Sequence, residues 1–220
     1  MTSNEKREHI LAELERIYTG TETALDYNTP FQLLISTLLA AQSTDVQVNK
    51  VMEPFYKKHP DAASIAGLSL EYIEDQIKNI GLYRNKAKNM LATSQMIMSD
   101  YGGKVPETQE ELVKLPGVGR KTANVVRSIA FGADAIAVDT HVFRVSNRLG
   151  LANAKDVVKT EEQLMKVIPR EKWSSAHHWL IWHGRKVCRA QKPLCDICTL
   201  KDWCKEFSRY GEEFMYWKGK

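Results

Sequence analysis

The stretch Leu115-Pro116-Gly117-Val118-Gly119-Arg120-Lys121-Thr122-Ala123 joins two segments of helical character, 108–114 and 120–131. Two helices linked in this way leave the backbone N–H groups of the turn, and of the first turn that follows, without intrahelical partners. Glycines at 117 and 119 let the chain reverse tightly and approach a ligand with no side chain in the way. Together with the positive end of the helix macrodipole, the turn makes an anion site suited to a phosphodiester. Such a site positions a strand but reads no base. A Pro-Gly turn alone is ordinary punctuation between helices; the nine-residue pattern is far more specific.

Working outward, apolar residues recur at helical spacing along nearly the whole chain. Ile10, Leu11, Leu14 and Ile17 share one face of a helix over 5–18, and 31–42 is almost entirely apolar, as suits a central buried helix. The periodicity and the start and stop signals predict further helices over 45–58, 69–79, 84–100, 108–114, 120–131, 139–149, 160–168 and 173–187. Thr108 with Glu111, and Thr160 with Gln163, read as capping boxes. Gly103, Gly132 and Gly150 stand where helices should stop. No alternating strand pattern is visible and Ala135–Val138 is too short for a sheet, so the expected class is all-α.

At 220 residues, 43% hydrophobic and 26% charged, the chain has an ordinary globular composition and room for one large or two small domains. Met1 to His9 is charged rather than an apolar signal region, and the longest apolar run, Leu33 to Ala41, is broken by Ser36 and Thr37 and too short to span a bilayer. Cytoplasmic residence without membrane association is expected. The formal charge of +4 announces no partner by itself. Its distribution says more: Lys114, Arg120, Lys121 and Arg127 form one acid-free basic run, and Arg185, Lys186, Arg189 and Lys192 form another. Either run could be a solvated face. Their coincidence with the two motifs tilts the reading toward phosphate contact.

All four cysteines fall within 17 residues, Cys188, Cys195, Cys198 and Cys204, spaced C-x6-C-x2-C-x5-C. In the cytosol such a cluster binds metal more often than it forms disulfides. Zinc is the common occupant of a four-cysteine loop. This spacing, however, departs from the two-pair zinc ribbon and from ferredoxin-type runs. His177, His178 and His183 share a helix with Trp179 and Trp182; adjacent positions point in different directions, so the histidines read as packing and hydrogen-bonding residues, with His183 toward the side that would meet phosphates.

Two further residues stand out. Lys121 falls in the first turn after the hairpin. A nucleophilic amine must be neutral, an ordinary lysine titrates near ~10.4, and closing that gap at pH 7 takes about 4 kcal/mol. A helix N-terminus offers only ~0.3–1 kcal/mol, leaving the remainder to desolvation and neighbouring cations such as Arg120. The simpler reading of Lys121 is a phosphate-binding lysine. Asp139, between the apolar run Ala135–Val138 and Thr140-His141, can cap the next helix and can equally balance positive charge on a sugar.

With the hairpin, Lys121, Val138-Asp139-Thr140-His141 and the four cysteines in hand, the chain closely resembles the bacterial endonuclease III family of the HhH-GPD superfamily, from about Pro30 to Cys204. The resemblance implies two helical lobes with a DNA-binding cleft between them: a six-helix lobe with the helix-hairpin-helix over 22–133, and a [4Fe-4S] lobe formed by 1–21 and 134–220. It implies a bifunctional DNA glycosylase and AP lyase of base excision repair, a monomer whose partner is double-stranded DNA containing oxidised pyrimidines or abasic sites. Lys121 and Asp139 are then catalytic. Gly117, Val118, Gly119, Arg120, Arg189 and Lys192 contact DNA, Gln42 probes the orphan base and Leu82 intercalates, although by pattern alone Leu82 reads as core and Gln42 as surface. Asp45 either caps a helix or, with His141, lines the cleft. Cys188, Cys195, Cys198 and Cys204 hold a [4Fe-4S] cluster. The resemblance assigns no role to the tail from Lys205 to Lys220; its Phe214, Tyr216 and Trp217 suggest at most packing on the lobe surface.

Three rivals remain at this level. A thymine or uracil mismatch glycosylase would use the same scaffold on another substrate. A non-catalytic DNA-binding module would use the hairpin alone, and an iron–sulfur redox carrier would need neither DNA nor Lys121.

Overall fold

Thr2, Thr29, Thr44, Asp61, Ser69, Thr108, Asp139 and Asp156 each stand one residue before a helix and accept a backbone N–H from its first turn. A short oxygen-bearing side chain there satisfies a donor that the helix start leaves orphaned. The structure, a computed structural model, describes residues 2–216; Met1 and 217–220, Trp217 among them, lie outside the described residues. The described residues form α1 (Ser3–Tyr18), α2 (Pro30–Leu39), α3 (Asp45–Lys58), α4 (Ala62–Ala66), α5 (Leu70–Ile77) and α6 (Tyr83–Tyr101). After these come α7 (Gln109–Leu112), α8 (Arg120–Phe131), α9 (Thr140–Leu149), α10 (Val157–Val167), α11 (Trp173–Lys186) and α12 (Lys205–Tyr210). Short 3-10 turns fill Arg170–Lys172, Cys195–Ile197, Lys201–Trp203 and Gly211–Tyr216. No strand occurs among the described residues, and the fold is all-α as expected.

Several boundaries differ from the sequence expectation. The capping box of Thr160 with Gln163 does not form. α10 begins three residues earlier, because the Asp156 carboxylate accepts from Lys159 N at 2.8 Å. Thr160 then sits inside the helix and donates its hydroxyl to Asp156 O, while Gln163 accepts from Asn153 N. Thr108 does cap α7, but its hydroxyl also donates to the Glu111 carboxylate, so the reciprocal arm meets the side chain rather than the backbone. α6 stops at Tyr101 with Gly102 in the left-handed region, one residue ahead of Gly103.

The chain divides into two units, Thr23–Ala133 and the described parts of Met1–Glu22 with Asp134–Lys220. In the first, every residue of α2 from Phe31 to Leu39 is buried. Each fully enclosed Leu or Ile there contributes about 1.5–3 kcal/mol. The polar residues that burial carries along find partners: Gln32 donates to Pro60 O, Ser36 and Tyr56 share a hydrogen bond of 2.9 Å, and Thr37 donates to Leu33 O. α8 packs on α2 through Ala123 and Val126, which fixes the hairpin to this core. In the second unit α1 and α9 pack on α11, joining Ile10, Leu14 and Tyr18 to Val142, Val145, Leu149 and Leu180.

Candidate functional site

In the hairpin, Leu115 and Val118 are both buried in the first unit's core, and Val118 N donates to Leu115 O at 3.0 Å. Val118 is therefore an anchor, and only its backbone remains for the DNA contact that the sequence assigns to it. Thr93 of α6 donates to Pro116 O at 2.8 Å. Gly117 has φ +76°, and a Cβ built on it would lie 2.5 Å from Asn89 Nδ2. Only glycine satisfies both the left-handed backbone and that approach. Gly119 differs: it precedes α8 without a side-chain cap, and a Cβ there would meet nothing within 4 Å. The first helical bond of α8 runs from Ala123 N to Gly119 O. The donors of the first turn, Arg120 and Lys121 included, therefore lack intrahelical acceptors at an open helix start. Both of those side chains are exposed. Packing within the unit therefore does not supply the desolvation that a nucleophilic lysine requires.

Among the described residues, three non-glycine residues have positive φ: Gln42 at 57°, Leu82 at 59° and Lys192 at 47°. All three carry expected DNA contacts. A left-handed leucine or lysine holds strain that the surroundings must maintain. Leu82 is 61% exposed, a large apolar side chain held in solvent rather than in the core where its pattern alone would put it. The loops of Gln42 and Leu82 adjoin: a Cβ on Gly81 would lie 3.5 Å from both Gln42 O and Ser43 Oγ. Asp45 does not cap α3; Thr44 takes that place, accepting from Gln47 N, and Asp45 is the first helical residue.

In the second unit, Asp139 caps α9, accepting from His141 N and Val142 N at 2.8 Å each. His141 Nδ1 lies 3.4 Å from its other oxygen. Burial pushes this carboxyl up, but the His141 and Val142 donors and the charges of His177 and His141 outweigh it. The group is held below the usual carboxylate range. The cap and the charge role anticipated for Asp139 are thus compatible.

The four cysteines are free thiols. They line one cavity with Leu149, His183, Val187, Leu194, Phe207 and Phe214. Among the described residues, no three His, Cys, Asp or Glu side chains are gathered as a ligand set for a metal ion. All four thiols nonetheless reach the same cavity. Burial pushes Cys195 up to about 11 and Cys198 up to about 12, and raises Cys204 as well. Thiols in such surroundings become thiolates when a cation compensates them. Donors are present too: Arg148 Nη1 lies 3.6 Å from Cys188 Sγ, and His183 Nε2 lies 3.8 Å from Cys198 Sγ. The donor set and its apolar shell fit an iron–sulfur group.

Sequence reasoning missed the residues that hold these loops. Arg144 donates to Gly184 O and Cys188 O, and Arg148 donates to Arg189 O and Ala190 O. Their i, i+4 spacing on α9 was the available signal. Arg189 and Lys192 themselves are exposed. Lys86, Asn89 and Thr93 of α6 left no such signal. Of the tail, Phe214 is buried and Tyr216 is 74% exposed, so only the first packs as expected.

A helix-hairpin-helix followed by an exposed lysine, with a cysteine loop closing the chain, defines a class. The family model described as HhH-GPD superfamily base excision DNA repair protein matches residues 35–170. Endonuclease III of Bacillus subtilis (strain 168) is 49% identical over 200 residues, covering 90% of this chain and 91% of that protein. Endonuclease III of Escherichia coli (strain K12) is 46% identical, covering 91% and 95%. A solved structure of a trapped endonuclease III–DNA covalent intermediate is similar, with TM-score 0.90, 45% identity and coverage of 95% and 99%. A thermostable thymine-DNA glycosylase is similar with TM-score 0.85, 25% identity and coverage of 94% and 99%. The chain belongs to the endonuclease III family of the HhH-GPD superfamily.

Proposed function

We propose that this protein is a bifunctional DNA glycosylase and AP lyase of base excision repair, acting on oxidised pyrimidines and abasic sites in double-stranded DNA. The observation that carries the reading is the exposed Lys121 in the uncapped first turn of α8, directly after the hairpin. Its family setting includes a relative described as a trapped covalent intermediate with DNA. The N–H groups at Gly119 and the first turn of α8 receive a phosphate. The target nucleotide leaves the stack, at a cost of a few kcal/mol, while Leu82 and Gln42 enter the vacated space.

Lys121 Nζ, neutral once DNA excludes water around it, then attacks C1′. The C1′–base bond breaks with its electron pair on the base, which departs with a proton, and the amine nitrogen gives up its own. Opening of the sugar ring leaves a C1′=N Schiff base. Loss of a C2′ proton expels the 3′ phosphate by β-elimination, and water releases the lysine. Asp139, held as a carboxylate, stabilises the positive charge on the sugar.

A [4Fe-4S] cluster held by Cys188, Cys195, Cys198 and Cys204 would supply a covalent cross-link for the loop, and the reaction moves no net electrons. Arg189 and Lys192 of that loop contact phosphates. The substrate places the enzyme at the nucleoid, in the cytoplasm.

Incision of duplexes containing thymine glycol, against duplexes containing a G·T mismatch, tests the substrate. Cleavage of the first is expected; excision confined to the second would support the mismatch glycosylase instead, and neither would leave a binding module.

A further inference from the structure

Lys86 is 4% exposed, an unusual place for an ammonium group. It lies on α6, three residues after the helix begins. Its Nζ donates to Ser43 Oγ at 2.9 Å, and among the described residues no carboxylate lies within ion-pair distance of it. A buried charge with a neutral partner is costly to retain, and burial does push this ammonium group down from the ordinary lysine range. A methionine would fill the same space at no such cost, so stability does not account for the residue.

Its position does. Ser43 directly follows Gln42, one of the left-handed residues, and α6 begins directly after Leu82, another. The two loops touch at Gly81. Further along α6, Asn89 meets Gly117 and Thr93 holds Pro116 O. Residues 86, 89 and 93 recur at helical spacing on one face. That face therefore carries the Gln42 loop at one end and the hairpin at the other.

We infer that Lys86 is a positioning residue: its ammonium group pins Ser43 to α6 and so fixes Gln42 beside Leu82 as a paired probe of the base opposite the lesion. The inference rests on the proposed function for its substrate, and on the geometry of one unit for its mechanism. Lys86 touches no reacting atom.

The test is equilibrium binding of the full-length holoprotein to duplexes carrying a stable abasic-site analogue. Each of the four bases, or a second analogue with no base, is placed opposite. Lys86→Met, Ser43→Ala and the double variant are compared with wild type, with melting temperature measured throughout. Wild type should discriminate among the opposing bases. In Lys86→Met that discrimination should shrink by about tenfold, the size of one hydrogen bond to a charged group. Affinity for the duplex with no opposing base should change least, and the melting temperature should not fall. Ser43→Ala should reproduce the effect, and the double variant should add nothing.

Equal weakening on all five duplexes, or a lower melting temperature with discrimination intact, would show a structural role and overturn the inference. Unchanged discrimination would do the same. Strand cleavage is scored separately: a wild type that discriminates without cutting fails the enzymatic reading, while the binding comparison still decides the role of Lys86.

Discussion

Asp139 shows how one side chain serves both the fold and the chemistry, and the two can be separated by substitution. Asparagine retains an acceptor for His141 N and Val142 N but carries no charge. Asp139→Asn should keep its stability within about 0.5 kcal/mol, whereas Asp139→Ala should lose about 1 kcal/mol with the cap. Both should lower kcat by about 100-fold or more. Thermal unfolding beside single-turnover kinetics makes the comparison, and an Asp139→Asn enzyme of full activity would remove the charge from the account. Gly117→Ala should be destabilised by at least about 1 kcal/mol through its left-handed backbone, in addition to the clash with Asn89. Asn89→Ala should recover only part of the steric loss, because the Asn89 Cβ that remains would itself lie 2.9 Å from the added one. The hairpin glycines and the cap at Asp139 were legible from residue type and spacing, whereas the catalytic roles of Lys121 and Asp139 came from the family resemblance, each having a simpler reading by pattern alone. The left-handed states of Gln42, Leu82 and Lys192 were not legible, because nothing local in a Leu or Lys announces φ above zero. Lys86 reads in sequence as one more solvated lysine of a helix.

At the scale of elements, the long helices were legible from apolar period and caps, but short ones were not. α4 has only five residues, and its box of Asp61 with Ser64 is the one readable trace of it. α12 and the 3-10 turns of the cysteine segment are too short to display a period. The loop from Cys188 to Cys204 is held instead by guanidinium groups, with Arg148 bonding two successive carbonyls, Arg189 O and Ala190 O. Arg148→Met should therefore release the loop before the helices. Hydrogen exchange by mass spectrometry should show faster exchange over 188–204, with a local loss of about 1–3 kcal/mol, and unchanged protection in α2. Uniform loss of protection through both units would mean that the arginine supports more than the loop. Removal of iron should produce the same pattern if the four thiols hold a cluster.

Across the whole molecule, the all-helical class was legible from periodicity, whereas composition left one large or two small domains open and only the family resemblance implied two lobes. How residues distant in sequence combine within a core was not legible, since α1 packs on α11 across more than a hundred residues. The second unit also buries His178, and that desolvation, opposed by Glu22, lowers its tendency to take a proton. The unfolded chain then binds that proton more readily, so stability is complete above about pH 6.5, the ordinary histidine value, and falls as the pH drops below it. Burial pushes His183 down to about 4, with the same sign, so melting curves between pH 8 and pH 5 should show that fall and His178→Gln should lessen it without abolishing it; an equal fall in the variant would assign it to other groups. DNA affinity should decrease with salt, and Arg189→Ala or Lys192→Ala should each reduce the logarithmic salt slope by about 0.9 if each neutralises one phosphate.

Strand cleavage by this protein turns on a covalent bond between the Lys121 nitrogen and C1′ of the sugar. Borohydride reduction during reaction with a duplex containing thymine glycol, followed by protease digestion and mass spectrometry, locates that bond directly. The prediction is a single reduced adduct on the peptide containing Lys121, absent from Lys121→Ala. An adduct on another residue, or undiminished trapping and strand cleavage by Lys121→Ala, would contradict it.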